Sequence, residues 1–255
     1  MKASVVIANY NNSKFINECI GSLNNQTYKD IEIIFFDDNS SDNSLEVIKK
    51  FQNIKIIENK THTKFGSFNQ MNAFKKSIQC CTGEIILLLD SDDFFKNDKI
   101  EKVIDFFLRN KNENIVFDYP IIKKNDKEIP QRKKLNLFKT YWGYIHPTSC
   151  ISMRREYSEK IFEKVVDNKF SDIWLDLRIL LFSKYLEKYN VIEENLTFYR
   201  QFEGNESSKF KKFSKSWWQR RGLAHDYFLN FKLMNNLKID KNLDFYISKI
   251  INKFL

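Results

Sequence analysis

Four short apolar runs separated by amphipathic stretches constrain this chain more than any other feature. They are Ser4-Val5-Val6-Ile7-Ala8, Ile31-Glu32-Ile33-Ile34-Phe35-Phe36, Ile54-Lys55-Ile56-Ile57 and Glu84-Ile85-Ile86-Leu87-Leu88-Leu89. Runs this short and this apolar read as strands covered on both faces, as in parallel sheets. Between them Phe15, Cys19, Ile20 and Leu23 fall at helical spacing, as do Leu45 and Ile48. Ser40-Ser41-Asp42 ahead of Glu46 is a start signal for the second helix, and a third is predicted over 68–81, ending near Gly83. The β-α-β-α-β-α-β order predicts an α/β fold with a parallel sheet and right-handed crossovers.

Past Asp98 the pattern changes. A helix is expected over 100–108, a strand over 115–117, a solvated loop or mobile lid over the charged stretch 123–134, and mainly helix from about Asp167 onward. Near the end, 209–221 holds six basic residues, no acidic ones, and Phe210, Phe213, Trp217 and Trp218. Across 255 residues Lys and Arg outnumber Asp and Glu 42 to 33, a net +9 that favours anionic partners such as nucleotide-sugars, anionic lipid or nucleic acid. A shortage of Gly (6) and Pro (3) beside abundant Lys and Asn is a compositional bias that contributes to this charge without any function. Cys19, Cys80, Cys81 and Cys150 form no Cys-x-x-Cys pair and read as reduced thiols. The longest apolar run is far below the ~20 residues that span a bilayer, so a cytoplasmic protein is expected, at most peripheral on the inner face of the plasma membrane.

The strongest local chemistry lies in Leu89-Asp90-Ser91-Asp92-Asp93, where an apolar strand runs into three carboxylates. Residues two apart in extended chain face one side, so Asp90 and Asp92 converge on one cation, or on a ribose and a cation. A solvated acidic turn is the plainer reading of such a motif taken alone. Asp37-Asp38 sits at another strand end, and ligands of open parallel sheets collect outside the carboxyl ends of the strands. The first strand ends in Ala8-Asn9-Tyr10-Asn11-Asn12, which offers a stacking ring and amide side chains.

At this point the sequence resembles the family 2 glycosyltransferases, which bind nucleotide-sugars in a GT-A fold. The resemblance rests on Ala-Asn-Tyr-Asn at 8–11, the segment 22–33, Asp-Asp-Asn-Ser-Ser-Asp-Asn-Ser at 37–44, Gly83-Glu84 and Leu-Asp-Ser-Asp-Asp at 89–93, and covers about the first 110 residues closely. It implies a Rossmann-like, mostly parallel central sheet flanked by helices, with a domain over 1–205 and a helical, basic-aromatic C-terminal extension over 206–255. Within that domain, 1–110 would bind the donor and 111–205 the acceptor. Asp38 is then expected on the nucleotide base, usually uracil, with Tyr10 stacked on it, Ala8 and Asn9 beside it and Asp37 orienting the loop. The resemblance makes Asp90 the ribose or sugar contact and Asp92 the metal ligand, with Asp93 supporting or alternative and Ser91 between them. Lys64 would neutralise the diphosphate, although its loop departs from the family's glycine-richer pattern.

Further on, Ser171-Asp172-Ile173-Trp174-Leu175-Asp176-Leu177-Arg178 looks like the family's Glu-Asp pair, with Ser171 replacing Glu and Asp172 matching the general base. His146 is a loop residue or an acceptor contact. Tyr199-Arg200-Gln201-Phe202 is similar to a family Tyr-Arg-x-His segment near the diphosphate, with Phe202 in place of His. The implied reaction moves a sugar from a nucleoside diphosphate, typically UDP, to an acceptor hydroxyl with inversion, assisted by Mn²⁺ or Mg²⁺. The implied acceptor is a bacterial-type surface glycan, free or lipid-linked, and the basic-aromatic segment suits an anionic membrane. Nucleic acid is not expected, since no nucleic-acid motif accompanies that patch. Two rivals remain: a catalytically silent nucleotide-sugar-binding module, and a nucleotidyltransferase, which would need a phosphate-cradling Gly-rich loop.

Overall fold

A computed structural model describes residues 1–125, 127–132, 142–166 and 169–255. Strands β1 (Ala3–Asn9), β2 (Ile31–Asp37), β3 (Ile54–Glu58) and β4 (Ile85–Asp90) alternate with helices α1 (Ser13–Asn24), α2 (Ser44–Ile48) and α3 (Gly66–Ile78). They pair in parallel in the order β3-β2-β1-β4, as the apolar runs predict. Then follow β5 (Phe94–Phe95), α4 (Lys99–Arg109), β6 (Ile115–Lys124), β7 (Lys127–Pro130), a 3-10 turn at Thr148–Cys150, β8 (Ile151–Arg154), α5 (Arg155–Val165), α6 (Leu175–Tyr185) and β9 (Val191–Arg200). These strands extend the sheet as β4-β8-β6-β9-β5, with β7 on β6. Only β6 and β9 run parallel in this half; the β4/β8, β6/β8, β5/β9 and β6/β7 ladders are antiparallel. Helices α7 (Lys215–Met234) and α8 (Leu243–Phe254) close the chain.

Strand alternation divides the apolar residues between two cores. Val5, Ile7, Phe35, Ile85, Leu87 and Leu89 face α1, α2 and α4, whereas Val6, Ile34, Ile86 and Leu88 face α3, α5, α6 and α7. Helix α7 contributes Ala224, Tyr227, Phe228 and Phe231 to the second core, so the start of the C-terminal segment packs on the sheet domain. Gly83 sits where chain meets chain: a Cβ there would lie 2.5 Å from Ser4 Oγ and 2.8 Å from Ser4 N. Its N–H donates to Ser4 Oγ (3.0 Å) and Glu32 Oε1 (2.9 Å), locking the start of β4 to β1 and β2.

One sequence expectation needs correction, and one strand was not foreseen. After 167 the chain is mainly helical, in α6, α7 and α8, but β9 runs for ten residues between β6 and β5. Only Leu196 and Thr197 of β9 are buried, so the strand carries little alternation and owes its form to its neighbours. The charged stretch from 123 is a hairpin rather than a loop: Lys123 pairs with Glu128 and Lys124 with Lys127 across a turn that includes Asn125 at φ 52°. Residues 126, 133 and 134 of that stretch lie outside the described residues.

Candidate active site

A cleft of about 1050 Å³ opens at the carboxyl ends of β1, β2 and β4. Of the residues singled out in the sequence, Ala8, Asn9, Tyr10, Asp38, Lys64, Asp90 and Asp92 line it. Asp37, Ser91, Asp93, Asp172 and Arg200 do not.

In one corner His62 lies flat on Tyr10, with ring centroids 3.9 Å apart and planes 13° from parallel. His62 Nδ1 is 2.5 Å from Asp38 Oδ2, and Asn59 donates to Asp38 Oδ1 at 2.7 Å. The corner thus holds one planar heteroaromatic ring, that of His62, against Tyr10 and in contact with a buried carboxylate. Asn9 donates to Asp37 Oδ1 (2.8 Å) and Ser40 Oγ (3.1 Å), while its Oδ1 has no hydrogen-bond partner among the described residues. Asp37 takes the Ser40 N–H as well (2.9 Å), so it is spent on shaping the loop after β2. Asn11 at φ 53° and Asn39 at φ 59° form the tips of the two loops, and Asn11 Oδ1 accepts from Ser41 N–H at 2.7 Å. Asparagine tolerates this left-handed conformation better than most residues.

The acidic strand end is held from behind. Ser149 Oγ donates to Asp93 Oδ2 (2.6 Å), Arg200 N–H donates to Asp93 Oδ1 (2.8 Å), and Asp93 is buried. Both its oxygens are thus engaged, which argues against Asp93 as a metal ligand. Ser91 is buried too, its Oγ accepting from Asn12. Arg200 is a strut instead of a phosphate contact: its Nε donates to Asp92 O (2.8 Å), its guanidinium pairs with Glu18 and it covers Phe15 at 4.4 Å. Beneath them Lys99, fully buried, joins Asp118 (2.8 Å), Ser149 O (2.7 Å) and Thr197 Oγ1 (2.6 Å). His146 likewise belongs to the interior, bonded to Asp118 O and the Tyr189 hydroxyl.

Asp90 and Asp92 remain open to the cleft, and among the described residues neither forms an ion pair. Burial first, then the charge of Asp92 and the weaker one of Asp176, push Asp90 up to about 7; burial pushes Asp92 up to about 6. Gln70 donates to Asp90 Oδ1 at 2.7 Å. Crowded carboxylates of this kind gain from a cation, and a hard divalent ion takes one or two protein carboxylates plus phosphate oxygens and water. The donor set fits Mg²⁺ or Mn²⁺ brought in with a diphosphate; no cluster of three or more protein ligands occurs among the described residues.

On the opposite wall the structure separates two acids that the sequence places together. Trp174, the residue before α6, is extended (φ −55°, ψ 140°), so Asp172 and Asp176 do not share one helical face. Asp172 is exposed, and it is its backbone carbonyl that matters, accepting from Arg220 Nε at 3.0 Å. Asp176 lines the cleft, half-buried by area, and burial pushes it up to about 6. Arg220 of α7 also lines the cleft, donates to Ser67 Oγ (2.8 Å) and stacks on Trp174 (4.4 Å) and Phe210 (4.0 Å). Arg220, His62 and Gln70 carried no signal in the sequence: one is among six basic residues of its segment, and the others sit in an ordinary loop and on a helix.

Comparison with known proteins supplies the family. An uncharacterized glycosyltransferase of Nostoc sp. is 34% identical over 217 residues, 78% of this chain and 65% of the relative, so the chain spans just under two thirds of it. The UDP-Glc:alpha-D-GlcNAc-diphosphoundecaprenol beta-1,3-glucosyltransferase of Escherichia coli is 34% identical over 116 residues, 46% of this chain and 44% of that protein. The crystal structure of S. aureus TarS 1-349 in complex with UDP superposes with TM-score 0.63 at 18% identity, over 90% of this chain and 66% of that one, and identifies the fold as GT-A. Residues 4–163 match the model of Glycosyl transferase family 2, and the chain belongs to that family.

Proposed function

We propose that this chain transfers a glycosyl group from a UDP-sugar to a hydroxyl of a surface-glycan acceptor carried on a lipid, with inversion, working at the cytoplasmic face of the membrane. The observation that carries the reading is one cleft holding a ring-sized corner at Tyr10 and Asp38, two unpaired carboxylates at Asp90 and Asp92, and a third acid, Asp176, across from them. The UDP complex of TarS and the diphosphoundecaprenol-linked substrate in the name of the E. coli relative support the donor and the acceptor class.

In this reading the base stacks on Tyr10 and Asp38 accepts its imide N–H, either by displacing His62 or by sharing Asp38 with it. Asp90 holds the ribose or the sugar, and Lys64 stays near the diphosphate as a mobile counter-charge. A divalent cation held by Asp92, with Asp90 beside it, would stabilise charge developing on the departing diphosphate. Asp176, rather than Asp172, accepts the proton of the attacking hydroxyl, because it is the acid at the cleft wall and its raised pKa makes it a better base than an ordinary aspartate. A single displacement by that hydroxyl inverts the anomeric carbon and needs no covalent enzyme intermediate. Arg220 holds the wall by bonding the Asp172 carbonyl and Ser67, and its charge keeps Asp176 from rising further.

The test is titration calorimetry with UDP with and without Mn²⁺, followed by a UDP-release assay over UDP-glucose and UDP-N-acetylglucosamine. Metal-dependent UDP binding and UDP release support the reading. Equal UDP affinity in EDTA, or release of pyrophosphate in place of UDP, overturns it.

A further inference from the structure

Helix α8 is turned inside out. Its outward side chains are Leu243 (71% exposed), Tyr246 (52%), Ile247 (41%), Ile250 (56%) and Phe254 (85%). At about 100° per residue these five fall within roughly one third of the helix circumference and form one continuous stripe. Toward the protein α8 presents mostly polar groups: Asp244 bonds Arg221 Nε at 2.9 Å, and Asn252 bonds Trp218 O at 2.8 Å. Phe245 and Ser248 are the residues of α8 that are buried. The helix is therefore fastened to α7 through polar contacts, with its more apolar face left to the outside. Leu233 (61%) and Met234 (76%) at the end of α7 are exposed as well. At the C-terminal end of the stripe, Lys215 donates to the Leu255 carbonyl, bringing the start of α7 and the exposed ring of Phe213 near the end of α8.

One edge of this stripe is basic. Lys253 borders it on α8, with Lys249, paired to Asp226, beyond it on the same side; Lys238 and Lys241 precede it, and exposed Lys211 and Lys212 stand beside Phe213. The acids close by are already engaged: Asp244 with Arg221, Asp226 with Lys249, Asp240 with Lys232. An apolar stripe edged by lysines is the pattern of a helix lying in the plane of an anionic bilayer surface. It suits no crossing of the membrane, and among the described residues no helix is long and apolar enough for one.

We infer that α8, with Phe213 and the end of α7, docks this protein onto an anionic lipid surface. The inference deepens the reading of a lipid-linked acceptor by naming the element that brings the cleft to the lipid. Arg220 and Arg221, consecutive on α7, tie the two together: the first reaches the cleft wall and the second holds α8.

The test is flotation with vesicles of phosphatidylcholine alone or with phosphatidylglycerol, at low and high salt, beside the double variant Ile250→Asp/Phe254→Asp. Both positions are exposed, so the fold should persist, and unchanged circular dichroism and UDP affinity check this. Wild type is expected to float with phosphatidylglycerol vesicles, to be released partly by salt, and to lose about tenfold or more of its binding in the variant. Equal flotation of variant and wild type, or no flotation at any composition, overturns the inference. So does a lipid-free dimer, seen by light scattering, that the variant dissolves, since a second copy would then cover the stripe. Because the readout is lipid binding, failure here leaves the transfer reaction standing, and failure of UDP binding leaves the docking result standing.

Discussion

Strands β1 to β4 run parallel, and each of β1, β2 and β4 delivers polar residues to the cleft directly at its own end: Asn9 and Tyr10, Asp38, and Asp90 with Asp92. The other wall is assembled differently. Asp176 comes from the first turn of α6, Tyr199 from β9 and Arg220 from α7, drawn together across antiparallel ladders and helix contacts. The wall proposed for the donor thus depends on local strand ends, whereas the wall proposed for the acceptor depends on packing between distant segments. Changes on the donor wall should act on binding and charge neutralisation, and changes on the acceptor wall on proton transfer or on the shape of the cleft.

The largest expected effect falls on the donor wall. Asp92→Asn should lower turnover by about 10³-fold and abolish the response of UDP affinity to Mn²⁺, because charge on the leaving diphosphate would lack its counter-ion. A variant that keeps metal-dependent affinity would move the metal away from Asp92. Next comes the buried support that joins the walls: Lys99→Met leaves Asp118 unpaired in the interior and should cost about 3–5 kcal/mol of stability. Urea unfolding measures this, and a loss below about 1 kcal/mol would mean the acidic strand end is held without the Lys99 network.

On the acceptor wall, Asp176→Asn should lower kcat by about 10²-fold with UDP affinity nearly unchanged, while Asp172→Asn stays near wild type. The opposite pattern would return the base to Asp172. The smallest effect is in pH. Asp176 works as a base when ionised, so kcat should fall as pH drops through about 6, and this limb should vanish in Asp176→Asn. The same raised pKa favours the protonated folded form: the stability it lends is complete below the ordinary aspartate range and is lost as pH rises through about 6. Asp176→Asn should therefore melt higher than wild type at pH 8 and alike at pH 4.

The parallel core and the strand ends that carry Tyr10, Asp38, Asp90 and Asp92 to the cleft were legible in the sequence, because a parallel strand buried on both faces writes a continuous apolar run that stops at the sheet edge. Strands β7 and β9 were not: β7 is exposed and charged throughout and β9 buries only Leu196 and Thr197, so neither writes a clear periodicity and both take their form from a partner. The adjacent acids of each motif look alike in sequence. Asp93 and Asp37 are held away from the cleft by hydrogen bonds from Ser149, Arg200, Asn9 and Ser40, while Asp92 and Asp38 reach it, Asp38 with Asn59 and His62 already on its oxygens. Which carboxylate opens to the cleft depends on partners from elsewhere in the chain, and the extended Trp174 ahead of α6 leaves Asp176, not Asp172, in the cleft lining. Spacing along the chain determined which strands carry acids to the cleft; only the tertiary structure decided which acids open into it, because a hydrogen-bond partner is a property of space and leaves no mark on local sequence.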